Sequence, residues 1–117
     1  MPLIRVQTSL SSPAKADIDA LLTSLSSTLA SQLGKPESYV MTSFQPDVAM
    51  TFAGTEEPSC LIEIKSVGTM GENKTKAMSQ TFCKMVEEAL SIPKNRTYID
   101  FVDSPGAMWG WNGATFG

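Results

Sequence analysis

Apolar residues recur along this chain in two rhythms, and the pair of rhythms occurs twice. Leu3–Val6 (LIRV) and Leu61–Ile64 (LIEI) are short β-branched runs that alternate with Arg5, Gln7, Glu63 and Lys65, as half-buried strands do. After the first run, Ile18, Leu21, Leu22, Leu25, Leu29 and Leu33 follow the three- and four-residue spacing of one helical stripe. Ser12 suits its cap, Pro13 its opening turn and Gly34 its stop. After the second run, Met78, Phe82, Met85, Val86, Ala89 and Leu90 repeat the stripe, with Pro93 just beyond its end. LGKPESYVMTSF from Leu33 is then echoed by LSIPKNRTYIDF from Leu90, so 1–57 and 58–117 are pseudo-repeats of one another.

Each half reads as β-α-β, and crossovers of this length join parallel strands with right-handed connections. Two such units predict an α+β fold, a two-layer α/β sandwich in which a four-stranded mixed sheet carries both helices on one face. Alternation turns Ile4, Val6, Ile62 and Ile64 toward the helices, and Leu3, Arg5, Gln7, Leu61, Glu63 and Lys65 away. Nothing in the pattern covers that second face, which argues for oligomerisation. A short extra strand is expected at Val48–Phe52, before a Gly/Pro turn leading to Cys60. The tail, PGAMWGWNGATFG, reads as an aromatic hairpin that packs on its own domain or on a neighbour.

With 117 residues and 42% hydrophobic content, 1–117 makes one domain with one core. A net charge of −3 without a run of Lys or Arg offers nothing to nucleic acid or an anionic membrane. The sequence shows neither a membrane span nor a signal peptide, so a cytoplasmic protein is expected. Cys60 and Cys83 read as reduced, packed thiols.

The absence of histidine narrows the chemistry more than any residue present. Ser-His-Asp and Cys-His triads are impossible and a transition-metal site is improbable, so acid–base work needs another base. Pro2 offers one. Once Met1 is removed, the terminus is a rigid secondary amine, and terminal amines titrate near neutrality. Lys35 follows the helix stop, where a cation ordinarily complements the helix dipole. Tyr98 and Asp100 share one face of the last core strand. Gly68 and Gly71 follow a strand without the spacing of a phosphate loop, which argues against nucleotide binding.

Taken together, MPLI.V.T at the start, GKP..Y at Gly34–Tyr39, F.G..EP at Phe52–Pro58, S.G at Ser66–Gly68, YI.F.D at Tyr98–Asp103 and GWN..TF at Gly110–Phe116 span essentially the whole chain. In these motifs the chain resembles the macrophage migration inhibitory factor family of the tautomerase superfamily. The resemblance implies a homotrimer with active sites at subunit interfaces and a cofactor-free keto–enol tautomerase acting on phenylpyruvate-like aryl α-keto acids. It implies that Pro2 is the base, that Lys35 holds the substrate carboxylate, that Ser66 and Val67 offer backbone contacts, and that Tyr98 comes from the adjacent subunit. Tyr39, Trp109 and Phe116 would line the aromatic part of the pocket.

Two departures qualify the match. Asp100 stands where well-known members have Asn, and a carboxylate there would repel an anionic substrate and oppose Lys35. At the family's Cys-x-x-Cys this chain reads SCLI, with Cys60 alone, so thiol–disulfide activity is expected to be absent. A competing reading is a cytokine-like interaction protein with a vestigial pocket. A third, hydration or dehalogenation of an acid, ranks lower because Arg5 and Arg96 are the only arginines.

Overall fold

The alternating run at the amino terminus becomes β1 (Pro2–Thr8), in which Ile4 and Val6 are fully buried while Leu3, Arg5 and Gln7 are not. Its echo becomes β3 (Cys60–Val67), with Ile62 and Ile64 buried in the same manner. The structure, a computed structural model, describes residues 1–11, 13–68 and 70–117. The remaining core elements are α1 (Lys15–Leu33), β2 (Met41–Gln45), α2 (Glu72–Leu90) and β4 (Thr97–Ser104). A two-stranded hairpin follows, β5 (Gly110–Trp111) and β6 (Ala114–Thr115).

The sheet order is β2-β1-β3-β4. β1 runs parallel to β2 and β3 parallel to β4, so each half is a β-α-β unit, and the two units meet along an antiparallel β1–β3 seam. The α+β sandwich expected from the pattern is therefore the fold observed. Ile4, Val6, Ile62 and Ile64 pack with Leu21, Leu25, Leu29 and Leu33 of α1 and with Met78, Phe82, Val86 and Leu90 of α2 in one apolar cluster. On the other face Arg5 and Lys65 converge on Glu63, at 2.9 and 3.6 Å. Among the described residues no helix is long and apolar enough to cross a membrane.

Some local expectations shift. Helix α1 begins at Lys15 with Ala14 as its N-cap residue, so Pro13 precedes the helix rather than opening its first turn. The cap expected at Ser12 lies outside the described residues. In α2 the stripe takes in Cys83, which is small and apolar enough to pack, and leaves Ala89 exposed on the rim of the groove between the helices. The strand expected at Val48–Phe52 does not form. Asp47 adopts φ +61° and, with Val48, donates back to the carbonyls of Leu10 and Thr8, which turns the chain before a ladder can run. Only Phe52 makes a bridge, to Thr55.

The repeat also exposes a difference in how the two helices end. Gly34 closes α1 in the left-handed conformation at φ +65°, and its counterpart Ser91 closes α2 at φ +58°. A side chain is strained there and glycine is not. Ser91→Gly should therefore raise unfolding stability by about 0.5–1 kcal/mol, read as a higher urea midpoint at unchanged slope.

Candidate active site

Gly34 stops α1 and turns Lys35 back over the sheet, where its backbone N–H donates to the Ala30 carbonyl at 3.0 Å. The side chain then reaches the end of β3. Its Nζ donates to Ser66 Oγ at 3.1 Å and to the Val67 carbonyl. Ser66 is fully buried, so this hydroxyl has a fixed place, and a Cβ on Gly68, at φ +97°, would stand 3.5 Å from the same Nζ. Across the seam Ser66 is paired with Pro2. Pro2, Lys35, Ser66 and Val67 thus form one cluster at the edge of the core.

The Met1 α-amino group, one residue before Pro2, lies against this cluster. It is held below its usual value of 8.0, first by burial and then by the charge and contact of the Lys35 side chain. Both causes disfavour its protonated form. Beside it opens a cleft of about 440 Å³, lined by Pro2, Ser38, Tyr39, Met41, Trp109 and Trp111 among others. Tyr39 meets Trp111 edge-on at 5.5 Å, and Phe116 stacks on Trp111 at 5.8 Å. The aromatic tail therefore packs on Tyr39 of its own chain. Phe116 supports the wall from behind, and Trp111, an aromatic of the tail not among the residues expected to line the pocket, belongs to the wall itself. Its place between Trp109 and Phe116 in a Gly-rich hairpin was the available signal. A larger cleft of about 570 Å³ runs along Asp47–Thr51, but no amine or lysine is among its lining residues.

Tyr98 and Asp100 lie elsewhere. Tyr98 is paired with Leu61 and Asp100 with Glu63, whereas Pro2 is paired with Ser66 on the opposite side of β3. Along the strands that separates Tyr98 from Pro2 by about 16 Å, at ~3.3 Å per residue, with two strand spacings across as well. Tyr98 is 67% exposed on the open face of the sheet. One chain does not bring it to its own Pro2.

A family model described as macrophage migration inhibitory factor (MIF) matches residues 1–117. The chain belongs to the macrophage migration inhibitory factor family. A macrophage migration inhibitory factor homolog of Brugia malayi is 37% identical over the whole of both chains. The crystal structure of a homologue from Prochlorococcus marinus superposes with a TM-score of 0.92 at 51% identity, covering 98% of this chain and 99% of that one. The family's structure from Trichinella spiralis gives 0.87 at 30% identity, with 97% and 99% covered.

Within this family fold, the cluster places Pro2 and the Lys35 side chain around buried Ser66, next to an aromatic cleft. Among the described residues no group of three His, Cys, Asp or Glu side chains is placed to hold a metal ion. Cys60 is no rival nucleophile: burial, and secondarily Cys83, push its thiol up to about 12.

Because burial and Lys35 each lower the Met1 amine, Lys35→Gln should raise its pKa, in protein that retains Met1, while burial keeps it below 8.0. The unfolded chain holds the amine's proton up to about 8, whereas the folded chain gives it up earlier, so stability should rise with pH through that window and level off above it. The variant should flatten that rise. Titration of the amine by NMR and urea midpoints from pH 6 to 9 check both statements.

Proposed function

We propose that this chain is a keto–enol tautomerase of phenylpyruvate-like aryl α-keto acids, working as a homotrimer with the Pro2 nitrogen as its base. The observation that carries the reading is the placement of Pro2: paired across the seam with buried Ser66, whose hydroxyl accepts from Lys35, at the mouth of an aromatic cleft. Family membership supports a tautomerase kind of activity. The reading requires removal of Met1, because a proline nitrogen inside a peptide bond has no basic lone pair.

In the enol-forming direction the C–H bond beside the ketone breaks and its proton passes to Pro2. The electron pair becomes the C=C bond of an enolate, whose oxygen takes a proton from water while Pro2 returns its own to solvent, so that the net change is one proton moved from carbon to oxygen. Lys35 holds the carboxylate and fixes the methylene against the amine, while backbone amides near Val67 and the Tyr98 hydroxyl of an adjacent subunit steady the developing oxygen charge. Tyr39, Trp109 and Trp111 accept the aryl ring. Ser66 anchors Lys35, Phe116 backs the wall, and Asp100 stands beside Tyr98 as a charge that disfavours additional anionic groups on the ligand. Separation of Tyr98 from Pro2 within one chain supports a site shared between chains.

Pro2→Gly should lower phenylpyruvate ketonisation by about 10²–10⁴-fold with the circular dichroism spectrum unchanged, on protein whose intact mass shows Met1 to be absent. Undiminished turnover would remove the proline from the mechanism. A mixing experiment tests the shared site. Pro2→Gly and Tyr98→Ala chains, each impaired alone, should recover part of the activity when refolded together, since a hybrid assembly can pair an intact Pro2 with an intact Tyr98. Failure to recover would mean that one chain supplies both.

A further inference from the structure

Arg96 makes more contacts than its position at the end of a short helical turn requires. Its Nε donates to the Pro58 carbonyl at 2.9 Å, Nη1 to that of Phe52 at 3.2 Å, and Nη2 to those of Glu57 and Thr55 at 2.8 and 3.5 Å. One guanidinium thus gathers carbonyls from the whole 52–58 loop, using the fixed fork of donors that lysine lacks. That loop needs holding. Ala53 and Gly54 both take positive φ, +53° and +74°, between Phe52 and Thr55, which bond each other backbone to backbone at 3.0 and 3.1 Å. Such a pair of left-handed residues is strained at the alanine.

The clamp also fixes a side chain. The guanidinium carbon lies 5.4 Å from the centre of the Phe52 ring, and that ring meets the ring of Tyr98 edge-on at 4.9 Å. Tyr98 is otherwise largely exposed, and its hydroxyl has no hydrogen bond among the described residues. From this geometry we infer that Arg96 is a positioning residue: it holds Phe52 against Tyr98 and so sets the direction in which Tyr98 presents its hydroxyl. The inference rests on the reading of Tyr98 as part of an adjacent subunit's site, and it adds to that site a residue that touches no substrate.

The chain has two tyrosines, Tyr39 and Tyr98, so 3-fluorotyrosine gives two resonances that Tyr→Phe variants assign. In Arg96→Met and Arg96→Lys the Tyr98 resonance should shift, and that of Tyr39, at the aromatic cleft, should not. Phe52→Leu leaves every guanidinium–carbonyl bond in place and should move the Tyr98 resonance too; it also serves if Arg96→Met folds poorly. In activity, Arg96→Lys should lower kcat/KM for phenylpyruvate by about tenfold in the parent chain and by less than about twofold in a Tyr98→Ala background, the coupling expected of residues acting through one another. An unmoved Tyr98 resonance, or an equal loss in both backgrounds, would overturn the inference. Full activity of Tyr98→Ala alone would instead overturn the reading of Tyr98 on which it rests, while the fluorine shift would still decide whether Arg96 sets the ring.

Discussion

Antiparallel pairing of β1 with β3 sets Pro2 opposite Ser66 and Thr8 opposite Cys60, and it joins two units that would otherwise each expose an apolar edge. Both strands bury every second residue, so a slip of one position would turn Ile4, Val6, Ile62 and Ile64 away from the helices. The core therefore fixes the register. Because Pro2 belongs to the first residue pair of that register, the same apolar packing that holds the sheet together places Pro2 at the end of β3. There Lys35 is already bound to Ser66.

One residue before Pro2, burial and the Lys35 charge both hold the Met1 amine below its usual value, and the helix stop at Gly34 is what brings that cation there. Lys35 is in turn fixed by a buried hydroxyl and a backbone carbonyl, and among the described residues no carboxylate pairs with it. The acids of the open face behave differently. Glu63 is taken up by Arg5 and Lys65, and Asp100 lies across from it on β4.

Much of this was legible in the residues. The duplicated spacing of Leu3–Val6 and Leu61–Ile64 with their helical stripes gave the order of elements, because the stripes are long enough to show a period of 3.6 and the short runs recur in the same place before each of them. The lack of histidine, with a proline in second position, pointed to the amine. What the residues did not disclose depends on where carbonyls go. Asp47 turns the chain out of the expected strand by bonding back to Leu10, and Ala14 starts α1 without a side-chain cap. Neither choice leaves a mark in hydrophobic spacing. Trp111 joined the wall because the hairpin folds onto Tyr39, a contact 72 positions away in sequence that no local pattern encodes.

Duplication gives the fold two corresponding corners, and they have been put to opposite uses. By the offsets of the repeat, Pro2 corresponds to Cys60, Ser66 to Thr8 and Lys35 to Ile92. In the second corner Cys60 and Ile92 are buried, and Thr8 Oγ1 donates to the Ser59 carbonyl at 2.9 Å instead of receiving a cation. One corner is filled by Cys60 and Ile92, and the other holds Pro2 and the Lys35 side chain around Ser66, so the two ends of one duplicated seam differ in polarity although their backbones correspond.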